Sequence, residues 1–181
     1  MENLIYPQLD IPVSELEKIF FDAYASNTSR DPIGRTEYGI RDRFQCGTSA
    51  FVLTDILDQA KLMWQKVGII DPSQDLMACL KRCDIKKRTF KHYKTLLLDG
   101  QEIDFTKNQL NHRWELAFGN EKIIETAVID MENYIQDYGK AFLERCKILK
   151  SNVVEGIAHL FSCPPEDIEV YLKTQKFTLF V

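Results

Sequence analysis

Long apolar runs and a surplus of basic residues are both missing from this chain of 181 residues. No stretch reaches the roughly 18 apolar residues that a membrane-spanning helix requires. Lys and Arg number 23 against 27 Asp and Glu, and the formal net charge of −4 argues against a sequence-independent nucleic-acid binder. Residues 1–10 have neither the basic nor the apolar segment of a secretory signal peptide. We therefore predict a cytoplasmic protein without membrane or nucleic-acid partners, although a non-Sec export route would leave no N-terminal trace.

Paired metal-ligand spacings are scarce as well. The five cysteines form an odd and scattered set, which indicates free thiols in a reducing compartment. Cys79 and Cys83 would share one face of a helix, but a structural zinc site needs four ligands. The sequence has no further CxxC or HxxxH pair that would complete such a site. We expect neither a metal ion nor a cofactor.

The apolar pattern predicts a helix-rich α+β fold without internal repeats. Apolar residues recur at helical spacing in most of the chain, and Pro165 stands at the first position of the last helix. The predicted helices cover residues 14–25, 47–67, 71–83, 121–149, 153–161 and 165–173. Between the first two lies a long turn-rich loop, of a length that is often functional. The clearest β signal is KHYKTLLLDGQEIDFT, which predicts an antiparallel hairpin around Asp99-Gly100.

Cys46 stands where the second predicted helix begins, in the run FQCGTSAFVLTDIL. A cysteine is an effective nucleophile only as a thiolate, and a helix N-terminus favours negative charge through its unpaired N–H groups and its dipole. Gly47 removes side-chain bulk where a substrate carbonyl would approach. The backbone N–H of Cys46 and the side chain of Gln45 are candidate oxyanion donors. The alternative is a buried and inert cysteine, which is common in proteins.

A nucleophilic cysteine needs a base, and the chain offers three histidines. His159 lies in a predicted helix and indicates a structural or surface position. His112 lies in a predicted loop with no acidic residue paired to it. His92 begins the first strand of the hairpin, and the second strand carries Asp104. Adjacent strands hold two side chains at a fixed distance, so His92 and Asp104 are the candidate base and its orienting acceptor.

The register of the hairpin can be predicted from its apolar residues alone. A two-residue Asp99-Gly100 turn would place His92 and Asp104 on opposite faces, because side chains alternate along a strand. A three-residue loop with Gly100 at positive φ sets Leu97 opposite Gln101 and places both side chains on one face. This register also makes the other face mainly apolar, with Tyr93, Thr95, Leu97, Ile103 and Phe105 on it. Burial and chemistry therefore select the same register independently.

With these residues in place, the chain resembles the YunG-like family of small bacterial proteins. The shared pattern is a QC followed by a small-residue helix with an aspartate (QCGTSAFVLTDIL), then an HY strand, a DG turn and an EIDxT strand (HYKTLLLDGQEIDFTKNQL). The resemblance covers residues 14–110 and is weaker between residues 59 and 90. Leu98 stands where that family often has a proline. The family in turn resembles the papain-like and transglutaminase-like cysteine enzymes.

The resemblance implies both a fold and a site. Residues 1–115 would form a papain-like core, with the cysteine on an N-terminal helix and a small antiparallel sheet. Residues 116–181 would form a helical extension packed on the same domain. Matched position by position, the catalytic triad would be Cys46, His92 and Asp104.

The sequence thus predicts a cysteine-dependent acyl-transfer enzyme acting on a peptide, a protein or a small amide. Water as the acceptor would make it a peptidase, amidase or deamidase, and an amine would make it a transglutaminase. The residues do not decide between these. The alternative is a non-catalytic binding module on the same scaffold, with the C-terminal helices as the partner surface. A plain structural domain with Cys46 in its core ranks last. Under that interpretation, the register of the hairpin and the match to the motif would both be coincidences.

Overall fold

The computed structural model describes residues 8–27, 46–57, 60–69, 89–106, 121–174 and 177–180. These residues form an α+β fold. In chain order the elements are β1 (Leu9–Pro12), α1 (Val13–Asn27), α2 (Cys46–Ile56), β2 (Lys61–Ile69), β3 (Thr89–Leu96), β4 (Glu102–Ile103), β5 (Glu121–Ile129), α3 (Met131–Phe161), α4 (Pro165–Lys173) and β6 (Phe177–Phe180).

Two small sheets organise these elements. The larger has the strand order β4-β3-β2-β5, and each pair of neighbours is antiparallel. A register shift between Lys66 and Val67 marks a bulge in the pairing of β2 with β5. The smaller sheet joins β1 and β6 in parallel, so it ties the first described strand to the last.

The core lies between the helices and one face of the larger sheet. Helices α1 and α3 approach closely at Gly156, where a Cβ atom would lie 2.6 Å from Cγ2 of Ile19. A glycine at this position lets the two backbones come together. The buried side chains that α1 and α3 contribute include Leu16, Phe20, Tyr24, Leu149, Val153 and Ile157.

Helix α2 is buried along nearly its whole length. It packs against β3 and α3, and the hydroxyl of Thr95 on β3 donates to the carbonyl of Ala50 at 3.1 Å. The Thr95 and Thr54 hydroxyls lie 3.2 Å apart. A helix that is covered on all sides needs no polar face, which explains its apolar sequence. These contacts fix the orientation of α2, and with it the position of its first residue.

Two helix predictions are wrong in part. The predicted helix over residues 47–67 ends at Ile56, and residues 61–69 form β2. Leu62 and Met63 are both buried although they project from opposite faces of β2, so this part of the strand is covered on both faces. A strand that is buried on both faces shows no alternation of polar and apolar residues, so its apolar residues were counted as a continuation of the helix.

The segment at residues 121–129 was expected to be helical and is β5. Its apolar residues 123, 124 and 128 fit a helical stripe, yet each is more than half exposed. Pairing with β2 decides its conformation, and the β-branched residues favour a strand. Part of the region assigned to the C-terminal helical extension therefore belongs to the larger sheet.

The remaining predicted helices lie where expected or outside the described residues. Helix α3 runs through the predicted 153–161 helix, and it is kinked at Gly139, where φ is 70° and ψ is −174°. Pro165 is the first residue of α4, as predicted. The predicted helix at 71–83 and most of the long turn-rich loop lie outside the described residues. None of the helices in the described ranges combines the length and apolar character that a membrane crossing requires.

Candidate active site

Cys46 is the first residue of α2, as predicted. Its thiol is free and half-buried, so it is neither sealed in the core nor fully open to solvent. One turn into the helix, the Ser49 hydroxyl accepts a hydrogen bond of 2.7 Å from the phenol of Tyr24 on α1. This hydrogen bond fixes the start of α2 against α1, and the dipole of the helix favours negative charge at its first residue, Cys46.

Packing against α3 and β3 explains why position 47 is a glycine, and the sequence did not reveal this. A Cβ atom at this position would lie 2.7 Å from the phenol oxygen of Tyr134 on α3 and 3.6 Å from Cδ2 of Tyr93. Tyr134 is buried and stands in an aromatic cluster with Phe51, Tyr93 and Phe142. The glycine lets this cluster reach the start of α2. Its predicted role beside a substrate stays a prediction.

The hairpin has the predicted three-residue loop. Gly100 has a φ of 87°, and the N–H of Leu97 donates to the carbonyl of Gln101 at 2.9 Å. Thr95 pairs with Ile103, which is the predicted register. Tyr93, Ile103 and Phe105 are buried on the core side, and Leu97 packs against the core.

His92 and Asp104 are in direct contact. The His92 Nε2–H group donates to Oδ2 of Asp104 at 2.6 Å. The other carboxylate oxygen, Oδ1, accepts from the backbone N–H and from the hydroxyl of Thr106, each at 2.9 Å. Since both oxygens are engaged, the carboxylate cannot rotate without losing hydrogen bonds. It therefore fixes the plane of the imidazole ring.

The charges of the site favour a protonated His92. Burial alone would lower the pKa of His92, because only 2% of the residue is exposed. The hydrogen bonds and negative charges of Asp104 and then of Cys46 outweigh burial and raise this pKa to about 10. Burial would raise the pKa of Asp104, but the hydrogen bond and charge of His92, together with Thr106, lower it.

A negative charge on the Cys46 sulfur stabilises the imidazolium of His92, and Gly47, the next residue after Cys46, packs against Tyr93, the next residue after His92. Because Nε2 is engaged by Asp104, Nδ1 is the ring nitrogen left to exchange a proton with the thiol. The structure therefore brings together Cys46, His92 and Asp104. This arrangement can hold a thiolate beside an imidazolium that is backed by a carboxylate, which is the chemistry of an activated nucleophile.

The other described cysteines lie in different surroundings. Burial raises the pKa of Cys146 to about 12. Burial, and then the charge of Asp167, raise the pKa of Cys163. His159 is exposed on α3, on the rim of a groove between α1 and α3. Within the described part of the chain, Cys46 is thus the cysteine that has a histidine partner.

Several predicted positions lie outside the described residues, namely Gln45, Cys79, Cys83 and His112. The structure reports nothing on the predicted oxyanion role of Gln45. In the part of the chain that the structure describes, no group of three or more His, Cys, Asp or Glu side chains could hold a metal ion.

Sequence reasoning missed one residue beside the site. Gln65 on β2 is the direct cross-strand partner of His92 and is buried. The signal that would have found it is the register of β2 against β3. That register was hidden because residues 61–67 were expected to continue a helix.

Comparison of the chain with protein-family models, with curated proteins and with solved structures found no match.

Proposed function

We propose that this protein is a cysteine-dependent acyl-transfer enzyme that uses a Cys46–His92–Asp104 triad. The observation that carries the proposal is the contact chain from Cys46 to His92 and from His92 to Asp104, with a His92–Asp104 distance of 2.6 Å. The substrate would be a peptide, a protein or a small molecule with an amide or thioester carbonyl.

In this proposal each residue has one role. In the ion pair the proton resides on Nδ1 of His92, and Cys46 attacks the carbonyl carbon as a thiolate. His92 then gives the proton to the leaving group, which departs as the thioester forms. Asp104 holds the ring in the orientation that directs Nδ1 to the sulfur, and its charge stabilises the imidazolium. The final acceptor is water in a hydrolase and an amine in a transglutaminase.

We further propose that the core is a small papain-like arrangement. The support is topological: the cysteine begins a helix, the histidine follows on β3, and the aspartate comes directly after β4, which pairs antiparallel with β3. Helix α2 packs on β3, so the nucleophile and the base come from two elements in direct contact. The N-terminus of α2 is also the positive end of the helix dipole, which would stabilise an oxyanion formed at Cys46.

The test is the rate of thiol alkylation against pH, because it needs no knowledge of the substrate. At about pH 6 iodoacetamide should label Cys46 faster than any other cysteine, as found by peptide mass analysis. A matched control is Cys163→Ala, which removes a half-buried thiol without a histidine partner and should leave the fast phase intact. Cys46→Ala should abolish it.

Acylation is the second measurement. p-Nitrophenyl acetate should release one equivalent of p-nitrophenol in a fast phase that depends on Cys46. A binding module on the same scaffold would show no such phase. If Cys46 is alkylated only at alkaline pH, as fast as an ordinary thiol, and no acylation phase is seen, the enzyme proposal is wrong.

A further inference from the structure

Gln65 stands beside the imidazole of His92, on the side away from Asp104. It lies on β2, and its Cα partner on β3 is His92. Residues directly opposite each other in an antiparallel pair project to the same face, with Cβ atoms about 4.5–5.5 Å apart. Strand β3 lies between β2 and β4. Gln65 on β2 and Asp104, which directly follows β4, therefore lie on opposite sides of His92.

The surroundings of Gln65 do not explain a polar side chain. Only 6% of the residue is exposed, and the neighbouring positions on the same face of β2 are Met63 and Val67, which are also buried. A glutamine carboxamide carries two N–H donors and one acceptor. Among the residues that the structure describes, none forms a hydrogen bond with this carboxamide. A buried polar group without a partner is costly and calls for a reason.

We propose that the Gln65 carboxamide donates a hydrogen bond to the oxyanion that forms when Cys46 attacks a substrate carbonyl. The inference rests on the proposed function and adds a substrate-contacting residue to it. The N–H groups of Gln65 are held beside His92, the neighbour of Tyr93, against which the start of α2 packs at Gly47, so they lie within reach of a carbonyl bound at the Cys46 sulfur. A preorganised donor of this kind acts most strongly in a buried site, where few dipoles compete with it.

The step balances as follows. The thiolate of Cys46 forms a C–S bond to the carbonyl carbon, and the π electrons of the C=O bond move to oxygen. The Gln65 N–H group donates to that oxygen while it is negative. The C=O bond then re-forms, the bond to the leaving group breaks, and the leaving group takes the proton from Nδ1 of His92. Gln65 keeps its own proton throughout.

Two reactions at the same sulfur separate this role from a structural one. Acylation by p-nitrophenyl acetate passes through a tetrahedral oxyanion. Alkylation by iodoacetamide displaces iodide from an sp³ carbon and creates no oxyanion. Both need the thiolate of Cys46, but only the first needs an oxyanion donor. The ratio of the two rates therefore measures oxyanion stabilisation.

The variant is Gln65→Leu, which keeps the size of the side chain and removes its donors. Acylation should become about 10²–10³-fold slower, the usual effect of losing one oxyanion donor. The alkylation rate near pH 6 should stay within about threefold, which also shows that the site is folded. Gln65→Met is a second variant of similar shape, with the same expected result. Met63→Leu, at the next position on the same face, is the matched control and should change neither rate.

Each other outcome overturns the inference. If Gln65→Leu and Gln65→Met acylate at the parent rate while the parent shows Cys46-dependent acylation, the proposed function stands and Gln65 is not a donor. If acylation and alkylation fall together by the same factor, Gln65 positions the ion pair and does not bind the oxyanion. If the parent shows no Cys46-dependent acylation, the proposed function fails and this inference fails with it.

Discussion

The reactivity of the Cys46 thiol depends on whether His92 is protonated. His92 is almost completely buried, which by itself favours the neutral ring, yet its pKa is raised to about 10. The opposing contributions come first from the Asp104 carboxylate, which is hydrogen-bonded to the ring at 2.6 Å, and then from the sulfur of Cys46. A substitution at Asp104 or at Cys46 therefore removes one of the interactions that raise the pKa of His92.

His92→Ala should make Cys46 an ordinary thiol. An ordinary cysteine is almost fully protonated at about pH 6, so the alkylation rate there should fall roughly 10- to 100-fold. His159→Ala removes an exposed histidine elsewhere on the surface and should leave the rate unchanged. The measurement is the rate of iodoacetamide labelling at Cys46. An unchanged rate in His92→Ala would show that the helix N-terminus alone activates the thiol.

The buried pair also predicts how stability depends on pH. The folded protein holds the His92 proton more tightly than the unfolded chain, because the pKa is raised from 6.5 to about 10. This stabilisation is complete below about pH 6.5 and is lost as the pH rises through 10. For Asp104 the pKa is lowered from 3.8, so its contribution is present above that pH and is lost in acid. The free energy of unfolding of the parent should therefore fall by roughly 2–4 kcal/mol at the alkaline end.

Asp104→Asn is the variant that isolates this effect. Asp104 is the leading cause that raises the pKa of His92, so the alkaline decline in stability should be much smaller without its charge. Urea unfolding across the pH range measures it. Parallel pH profiles for the parent and the variant would contradict the assignment of the proton to this pair.

The β3–β4 hairpin and the strands β2 and β5 differ in how well the sequence predicts them. The register and the loop of the β3–β4 hairpin were predicted correctly, because they follow from local turn chemistry and from which residues are apolar; β3 begins three residues before His92, and Asp104 lies just after β4. Strands β2 and β5 were missed, because their conformation depends on partners far away in sequence. For Cys46, His92 and Asp104 the local signals sufficed. Gln65 needed the non-local register, and no local pattern could have supplied it.

The loop of the hairpin depends on Gly100. Its φ of 87° disfavours any residue with a side chain, and a Cβ atom there would meet nothing within 4 Å. Gly100→Ala should therefore lower the free energy of unfolding by about 1–2 kcal/mol through the backbone alone. Gly139→Ala is the matched control, since that residue also has a positive φ and open space. Chemical denaturation measures both, and a Gly100→Ala protein as stable as the parent would contradict the loop conformation.

Helix α2 and helix α3 meet at Gly47 and Tyr134. Gly47→Ala should lower stability by about 1–3 kcal/mol, because the new methyl group would lie 2.7 Å from the phenol oxygen. In a Tyr134→Phe background the penalty should shrink, since the remaining contacts are ordinary. A double-mutant cycle measures this coupling. Gly156→Ala is the control: its clash is with Ile19, so Tyr134→Phe should not relieve it.

At the scale of the whole molecule, the two regions expected from the sequence, residues 1–115 and 116–181, are joined by strand pairing and by helix packing. Strand β5 pairs along β2, and β6 pairs with β1. Helix α3 packs on both α1 and α2, so residues beyond 115 cover the helix that carries Cys46. The expected boundary near residue 115 was set by where the resemblance fades. Such a boundary reflects sequence similarity and carries no information on which elements share a core.

A chain truncated after residue 115 should therefore fail to fold. It would lose the β2–β5 pairing and would uncover the apolar side chains of α1 and α2 that pack against α3. The buried residues lost with α3 include Leu149, Val153 and Ile157, and the burial of each such side chain is worth about 1.5–3 kcal/mol. For these three residues the loss is about 4.5–9 kcal/mol, which is comparable with the total stability of a native protein, about 5–15 kcal/mol. Circular dichroism and the cooperativity of urea unfolding measure the result, with the full chain carrying Cys46→Ala as the folded control. A truncated chain that unfolds cooperatively and keeps a fast alkylation phase at Cys46 would show instead that residues 1–115 form an autonomous catalytic core.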